Sequence, residues 1–155
     1  MYSKELMEIM KETLDSWEVE YTSEKDHFIF EAQIDGKINL VEYRITVNEN
    51  GYIISAILED VSVEEKMLTD VLEYINMVNN HESQASMNVY DDFIMCSIYL
   101  NYRGMIPNKE LLKTAMLDIC ECIEKFGGGI LDVLEKKGTP IEIFENCLEE
   151  ITDEE

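Results

Sequence analysis

Two dipeptides, Asp35-Gly36 and Asn50-Gly51, stand between stretches in which apolar and polar residues alternate. Such pairs tolerate the positive φ angles of the tight turns that join antiparallel strands, so flanking alternation makes them strong hairpin signals. A period of two also sends every second side chain to the same face of a sheet. The first half of the chain is thereby committed to an antiparallel meander. Trp17, Val19 and Tyr21 form a short first strand, followed by a polar turn at residues 23–26. Phe28, Phe30, Ala32 and Ile34 form the next strand. After Asp35-Gly36 the phase shifts, from Ile38 and Leu40 to Val41, Tyr43, Ile45 and Val47, which predicts a bulge. Residues 52–59 return as an apolar strand.

Elsewhere the apolar period lengthens to that of a helix. Residues 3–16 carry Leu6, Ile9, Met10 and Leu14 on one face, with Ser3 placed as a cap. Ser62-Val63-Glu64-Glu65 has the spacing of a capping box. The helix it opens places Met67, Leu68, Val71, Leu72, Ile75 and Val78 inward and ends near Asn79-Asn80. A polar connector, residues 81–84, leads to a second hairpin: residues 87–90, the turn Asp91-Asp92, then 93–102. Pro107-Asn108 opens a long helix with Leu111, Leu112, Ala115, Met116, Ile119, Cys120 and Ile123 inward. Gly127-Gly128-Gly129 predicts its end. A short helical piece, 130–136, stops at Gly138. Thr139-Pro140-Ile141-Glu142 starts a final helix striped by Ile141, Phe144, Cys147, Leu148 and Ile151. Its acidic end, residues 149–155, is expected to fray.

The expected fold is therefore α+β, an antiparallel sheet with helices packed on it. The order is α-β-β-β-β-α-β-β-α plus C-terminal helices. One domain spans residues 1–155, with a core at 3–126 and a helical extension at 127–155.

Charge narrows the function. There are 34 acidic against 12 basic side chains, a net of -22. Such a surface repels phosphate backbones and anionic lipids, which excludes direct nucleic-acid and membrane partners. It complements a basic partner and equally serves solubility. No signal-like segment and no membrane-length apolar run is read, so the chain is expected in the cytoplasm. Cys96, Cys120, Cys122 and Cys147 lie in apolar-periodic segments and read as reduced core thiols.

Catalytic constellations are not apparent. His27 and His81 have no triad context. Cys120 and Cys122 point about 200° apart on a helix and do not pinch one metal ion. The glycine run follows a helix and lacks the lysine of a phosphate loop. Asp91-Asp92 matches turn chemistry and has no calcium-loop spacing. No catalytic residue, cofactor or metal is assigned, and the chain is read as not an enzyme.

Strand 93–102 stands out instead, because it is apolar on both alternations. Phe93, Met95 and Tyr99 share one face; Ile94, Cys96, Ile98, Leu100 and Tyr102 share the other. Either the C-terminal helices cover the second face, or it stays open as an adaptable binding surface.

The element order, with Tyr74-Ile75-Asn76-Met77-Val78-Asn79 closing the middle helix, resembles the YbjN-like family of bacterial sensory-transduction regulators, similar in fold to type III secretion chaperones. The resemblance covers roughly residues 3–126; the C-terminal helices look like an addition. It implies a fold that holds a polypeptide partner, with a homodimer among the assemblies it allows. Asn76 and Asn79 share a helix face, either for recognition or for bonding backbone at the helix end. The candidate partner-binding residues are Phe93, Met95, Tyr99, Asn76 and Asn79. The alternative from another class is an acidic decoy, a nucleic-acid mimic or toxin inhibitor that fills a basic cleft.

Overall fold

In a computed structural model, which describes residues 1–82 and 84–153, the chain is a two-layer α+β sandwich. Six antiparallel strands, β1 (Thr22–Glu24), β2 (His27–Gln33), β3 (Leu40–Val47), β4 (Gly51–Leu58), β5 (Ser86–Tyr90) and β6 (Phe93–Asn101), lie in the order β1-β2-β3-β4-β6-β5. The helices are α1 (Tyr2–Ser16), α2 (Leu68–His81), α3 (Lys109–Leu134) and α4 (Pro140–Asp153). Ser83, within the expected 81–84 connector, and Glu154 and Glu155, in the acidic end, lie outside the described residues. His81 itself closes α2.

Alternation decides which face each strand buries. Phe28, Phe30, Val41, Tyr43, Ile45, Tyr52, Ile54, Ala56, Ile94 and Cys96 form the covered face and the floor of the core. All four helices pack on that side. Tyr52 donates its hydroxyl to the carbonyl of Leu6 in α1 at 2.6 Å, and Tyr43 to that of Met116 in α3 at 3.1 Å. Asn79 of α2 clasps the Met87 backbone in β5, accepting from its N–H at 2.7 Å and donating to its carbonyl at 2.8 Å. The extension does not cross to the other face: α4 packs against α2 and α3. Covering of the second face, one of the two expected arrangements, is thus ruled out for the described residues.

The turn signals locate hairpins but not always their geometry. Asp35-Gly36 sits in a six-residue connection, 34–39, closed by the Ile34 N–H on the Asn39 carbonyl. Gly36 takes φ 117°, and Ile38 is buried beside Gly127 of α3. The phase shift therefore comes from this loop and not from a bulge, since pairing runs unbroken from Gln33↔Leu40 to His27↔Thr46. At the next hairpin Asn48 builds an Asx turn, accepting from the N–H groups of Asn50 and Gly51. Gly51 is needed because a Cβ there would lie 1.8 Å from the Leu100 carbonyl oxygen across the ladder.

Several other expectations are corrected. Trp17, Val19 and Tyr21 form the irregular exit of α1, with Glu18 at φ 56°, because the helix C-terminus must be closed before the strand begins. Ser3 lies inside α1, whose cap is Met1. The Ser62 capping box does not form: the Ser62 hydroxyl bonds Asp92, and a 3₁₀ turn at Glu65–Met67 leads into α2. Leu72, Leu111 and Ile141 point outward, while Tyr74, Cys122 and Ile143 take the inner positions. Thr139 caps α4 as expected, accepting from the Glu142 N–H at 3.3 Å.

The largest correction concerns Gly127-Gly128-Gly129, which does not end a helix. α3 continues through it to Leu134, absorbing the short helical piece expected at 130–136. The glycines admit neighbours. A Cβ on Gly129 would fall 2.1 Å from the Tyr74 hydroxyl oxygen, which donates to the Phe126 carbonyl. A Cβ on Gly127 would meet Ile123 and Ile38. Gly128 faces only the flexible stem of Lys37, nearest atom 3.2 Å away. Gly129→Ala is therefore expected to cost about 2–4 kcal/mol, combining overpacking with a lost buried hydrogen bond. Gly128→Ala should gain up to about 1 kcal/mol from helix propensity as Lys37 shifts aside. Urea unfolding of both variants checks this; a neutral Gly129→Ala would refute the close-packing account.

Candidate functional site

The uncovered face of the sheet is built by the odd-numbered residues of β2, β4 and β6 and the even-numbered residues of β3 and β5. Cross-strand register sets these side chains in rows. One row runs His27–Thr46–Ile53–Tyr99 across β2, β3, β4 and β6. The next runs Ile29–Arg44–Ser55–Ser97 and ends at Ser86 of β5. A third runs Glu31–Glu42–Ile57–Met95 and ends at Asn88. Phe93 and Tyr90 pair at the far end, their rings 5.5 Å apart.

A stripe of apolar side chains thus follows β4 and β6, formed by Ile53, Ile57, Phe93, Met95 and Tyr99. Tyr99 is 56% exposed and Ile53 36%, while Phe93 and Met95 are half-buried by one another and their neighbours. Its centre is small and polar. Ser55 and Ser97 bond each other at 2.9 Å, and Ser55 is only 8% exposed between the larger side chains on either side. The serines form the floor of a shallow saddle walled by Ile53 and Tyr99 on one side and Ile57 and Met95 on the other.

Acids flank this stripe on the β2–β3 side. Glu31 and Glu42 stand directly opposite each other, and Arg44 answers Glu42 at 2.9 Å. Glu59 follows β4 beside them. Partial desolvation, then the nearby charges of Glu31 and Glu42, push its carboxyl above the usual carboxylate range. On the β5 side the neighbours are neutral, Ser86 and Asn88.

Phe93, Met95 and Tyr99, predicted as binding residues, are brought together here. Asn76 and Asn79 are not: both belong to the helical layer. Asn79 spends its amide on the Met87 backbone, and Asn76 is exposed beside β5. Ile53, Ser55, Ile57 and the acidic flank were missed because strand 52–59 reads as almost wholly apolar, so its parity shows only once it is paired with β6.

Neither the cysteines nor the histidines assemble a reactive site among the described residues. Cys122 is buried and Cys120 only half-buried, the reverse of the expected assignment, because Cys122 faces Cys96 within the core. Cys120 sits 2.8 Å from the Tyr43 hydroxyl. Burial pushes the thiols of Cys120 and Cys147 up, against the opposing pull of their tyrosine partners. His81 lies edge-on to Phe126 and Phe144, and His27 stands between Glu24 and Asp26. No group of three or more potential metal ligands occurs among the described residues, and no described helix is long and apolar enough to cross a membrane. Comparison with family models, with curated proteins and with solved structures finds no match to this chain.

Two predictions follow from these environments. Native Cys120 and Cys147 should alkylate with iodoacetamide at pH 8 more than about tenfold slower than in urea, read by mass spectrometry. Rapid native labelling would show that the thiols are open. Because the folded Glu59 carboxyl is raised, its contribution to stability is fully present below the ordinary carboxylate range. It is lost as pH rises through the raised value. Glu31→Gln, which removes one cause of that shift and a cross-strand like-charge pair, should raise the urea midpoint at pH 7 and leave it unchanged at pH 3. Equal effects at both pH values would count against this electrostatic origin.

Proposed function

We propose that the chain is a non-catalytic protein-binding module that holds a polypeptide partner on the uncovered sheet face. The role is that of the chaperone-like regulators its sequence resembles, acting in the cytoplasm. The observation that carries this reading is the aligned stripe of Ile53, Ile57, Phe93, Met95 and Tyr99. A sheet face with contiguous apolar side chains ordinarily packs against a second layer. Among the described residues that layer lies on the other side, so the stripe remains available to another molecule. Its composition supports the same reading: Met adapts its shape to a partner, while Tyr and Phe supply contact area at little entropic cost.

A catalytic role draws no comparable support, since burial pushes the thiols of Cys120 and Cys147 up, away from the reactive thiolate. The net charge of -22 supports the second reading, an acidic decoy, and the two separate in one experiment. Random 16-residue peptides displayed on phage are selected against the wild-type chain, and the enriched peptides are measured against Met95→Lys at low and high salt. Docking on the stripe predicts enrichment and at least about tenfold weaker binding to Met95→Lys, with modest salt sensitivity. Binding that ignores Met95→Lys and vanishes at high salt favours the decoy. No enrichment at all overturns both.

A further inference from the structure

Resting on that docking role, we propose that the occupant is a cationic amphipathic α-helix of another polypeptide. It lies along β4 and β6, sets a large apolar side chain into the Ser55–Ser97 saddle, and turns Lys or Arg residues toward Glu31, Glu42 and Glu59.

The backbone argues for a helix. A peptide resting on the face of a sheet, unlike one added at its edge, finds no free N–H or carbonyl groups beneath it. An extended segment would hold its own backbone polar groups against Ile57 and Met95 without partners. A helix brings its hydrogen bonds with it. Dimensions agree as well. The stripe runs seven residues, from Phe93 to Tyr99, or about 20 Å, and is two strands wide, or about 10 Å with its side chains. A helix of about 13 residues has that length, and an apolar face spanning roughly 100° of its surface has that width.

The serine floor sets register. Ser55 and Ser97 satisfy each other's hydroxyls at 2.9 Å, so an apolar side chain seated above them leaves neither unpaired. Ile53, Tyr99, Ile57 and Met95 enclose it, as neighbours enclose a central anchor in a protein interface.

Charge sets sign and orientation. The flank toward β2 and β3 carries Glu31, Glu42 and Glu59, and its one cation, Arg44, is already engaged by Glu42. The opposite flank presents Ser86 and Asn88. A helix basic along one edge satisfies both flanks in one orientation only. A second copy of this chain fits poorly, since each carries a net -22.

The test uses three fluorescein-labelled 18-residue probes and the full chain, read by anisotropy. The first has Leu on one helical face and Lys on the other. The second keeps the Leu positions and replaces Lys with Glu. The third scrambles the Leu/Lys composition so that no apolar face forms. The proposal expects the Leu/Lys helix to bind with a Kd of about 1–100 μM. Met95→Lys, and separately Tyr99→Glu at a side chain already more than half exposed, should each weaken it about tenfold or more. Glu31→Gln with Glu42→Gln should weaken it several-fold. Circular dichroism melts confirm that each variant is folded. Equal binding of the scrambled probe, or indifference to both stripe variants, overturns the proposal by showing general attraction to an acidic surface. Equal binding of the Leu/Glu helix overturns the charge selection while leaving docking on the stripe intact. If the Leu/Lys helix fails to bind but phage-selected peptides bind in a Met95-dependent way, the occupant class is wrong and the docking role stands; if neither binds, both fall.

Discussion

The hydrogen bond from the Tyr74 hydroxyl to the Phe126 carbonyl fixes how the helical layer is assembled. Tyr74 is fully buried in α2, so an unpaired hydroxyl there would carry the whole cost of its lost hydration. It finds its acceptor on the backbone of α3, and only because Gly129, one turn on, leaves room for the ring. α2 and α3 are thereby drawn together, and α3 runs unbroken past Gly127-Gly128-Gly129. The chain then turns at Lys136, φ 56°, and α4 packs back against α2 and α3. Phe126 stacks on Phe144 at 5.9 Å to close that junction. The described part of the C-terminal extension lies on the helical side.

Tyr43 and Tyr52 repeat the device between layers. Each is a large ring in the covered face of the sheet whose hydroxyl reaches a helix carbonyl, α3 for one and α1 for the other. Burial pushes both phenols well above their ordinary pKa, because the charged phenolate is costly in the core. Directional bonds of this kind do what apolar packing does not, fixing the position of each helix along its axis.

The amount of this legible in sequence follows the range of the interactions. Alternation and turn chemistry are local, so the α+β class, the meander, the Asp91-Asp92 turn and the Asn108 and Thr139 caps are readable from neighbouring residues. Failures arise where a distant partner decides. Gly129 reads as a helix terminator until Tyr74, more than fifty positions away, is placed against it. Ser62 reads as a cap until Asp92 takes its hydroxyl. The Asp35-Gly36 loop reads as a two-residue turn until Ile38 is seen to be drawn into the core beside Gly127. Phe93, Met95 and Tyr99 were recognisable because β6 carries apolar residues on both alternations. Ile53, Ser55 and Ile57 needed the β4–β6 register, which no local pattern encodes.

The same register makes the open face asymmetric. An isolated sheet of this kind, apolar on both sides, would invite pairing with itself through either face. The helices remove one face from solvent, and on the other the chain sets acids beside the apolar stripe. Glu31 stands opposite Glu42, which Arg44 answers at 2.9 Å, and partial desolvation, then the charges of Glu31 and Glu42, hold the Glu59 carboxyl above its usual range. Two such faces brought together would set like charges against each other. Toward a cation the same row is favourable, since Glu31 presents a carboxylate beside the Glu42–Arg44 pair. The negative charge of that row and the exposure of the neighbouring stripe thus complement the same proposed kind of occupant.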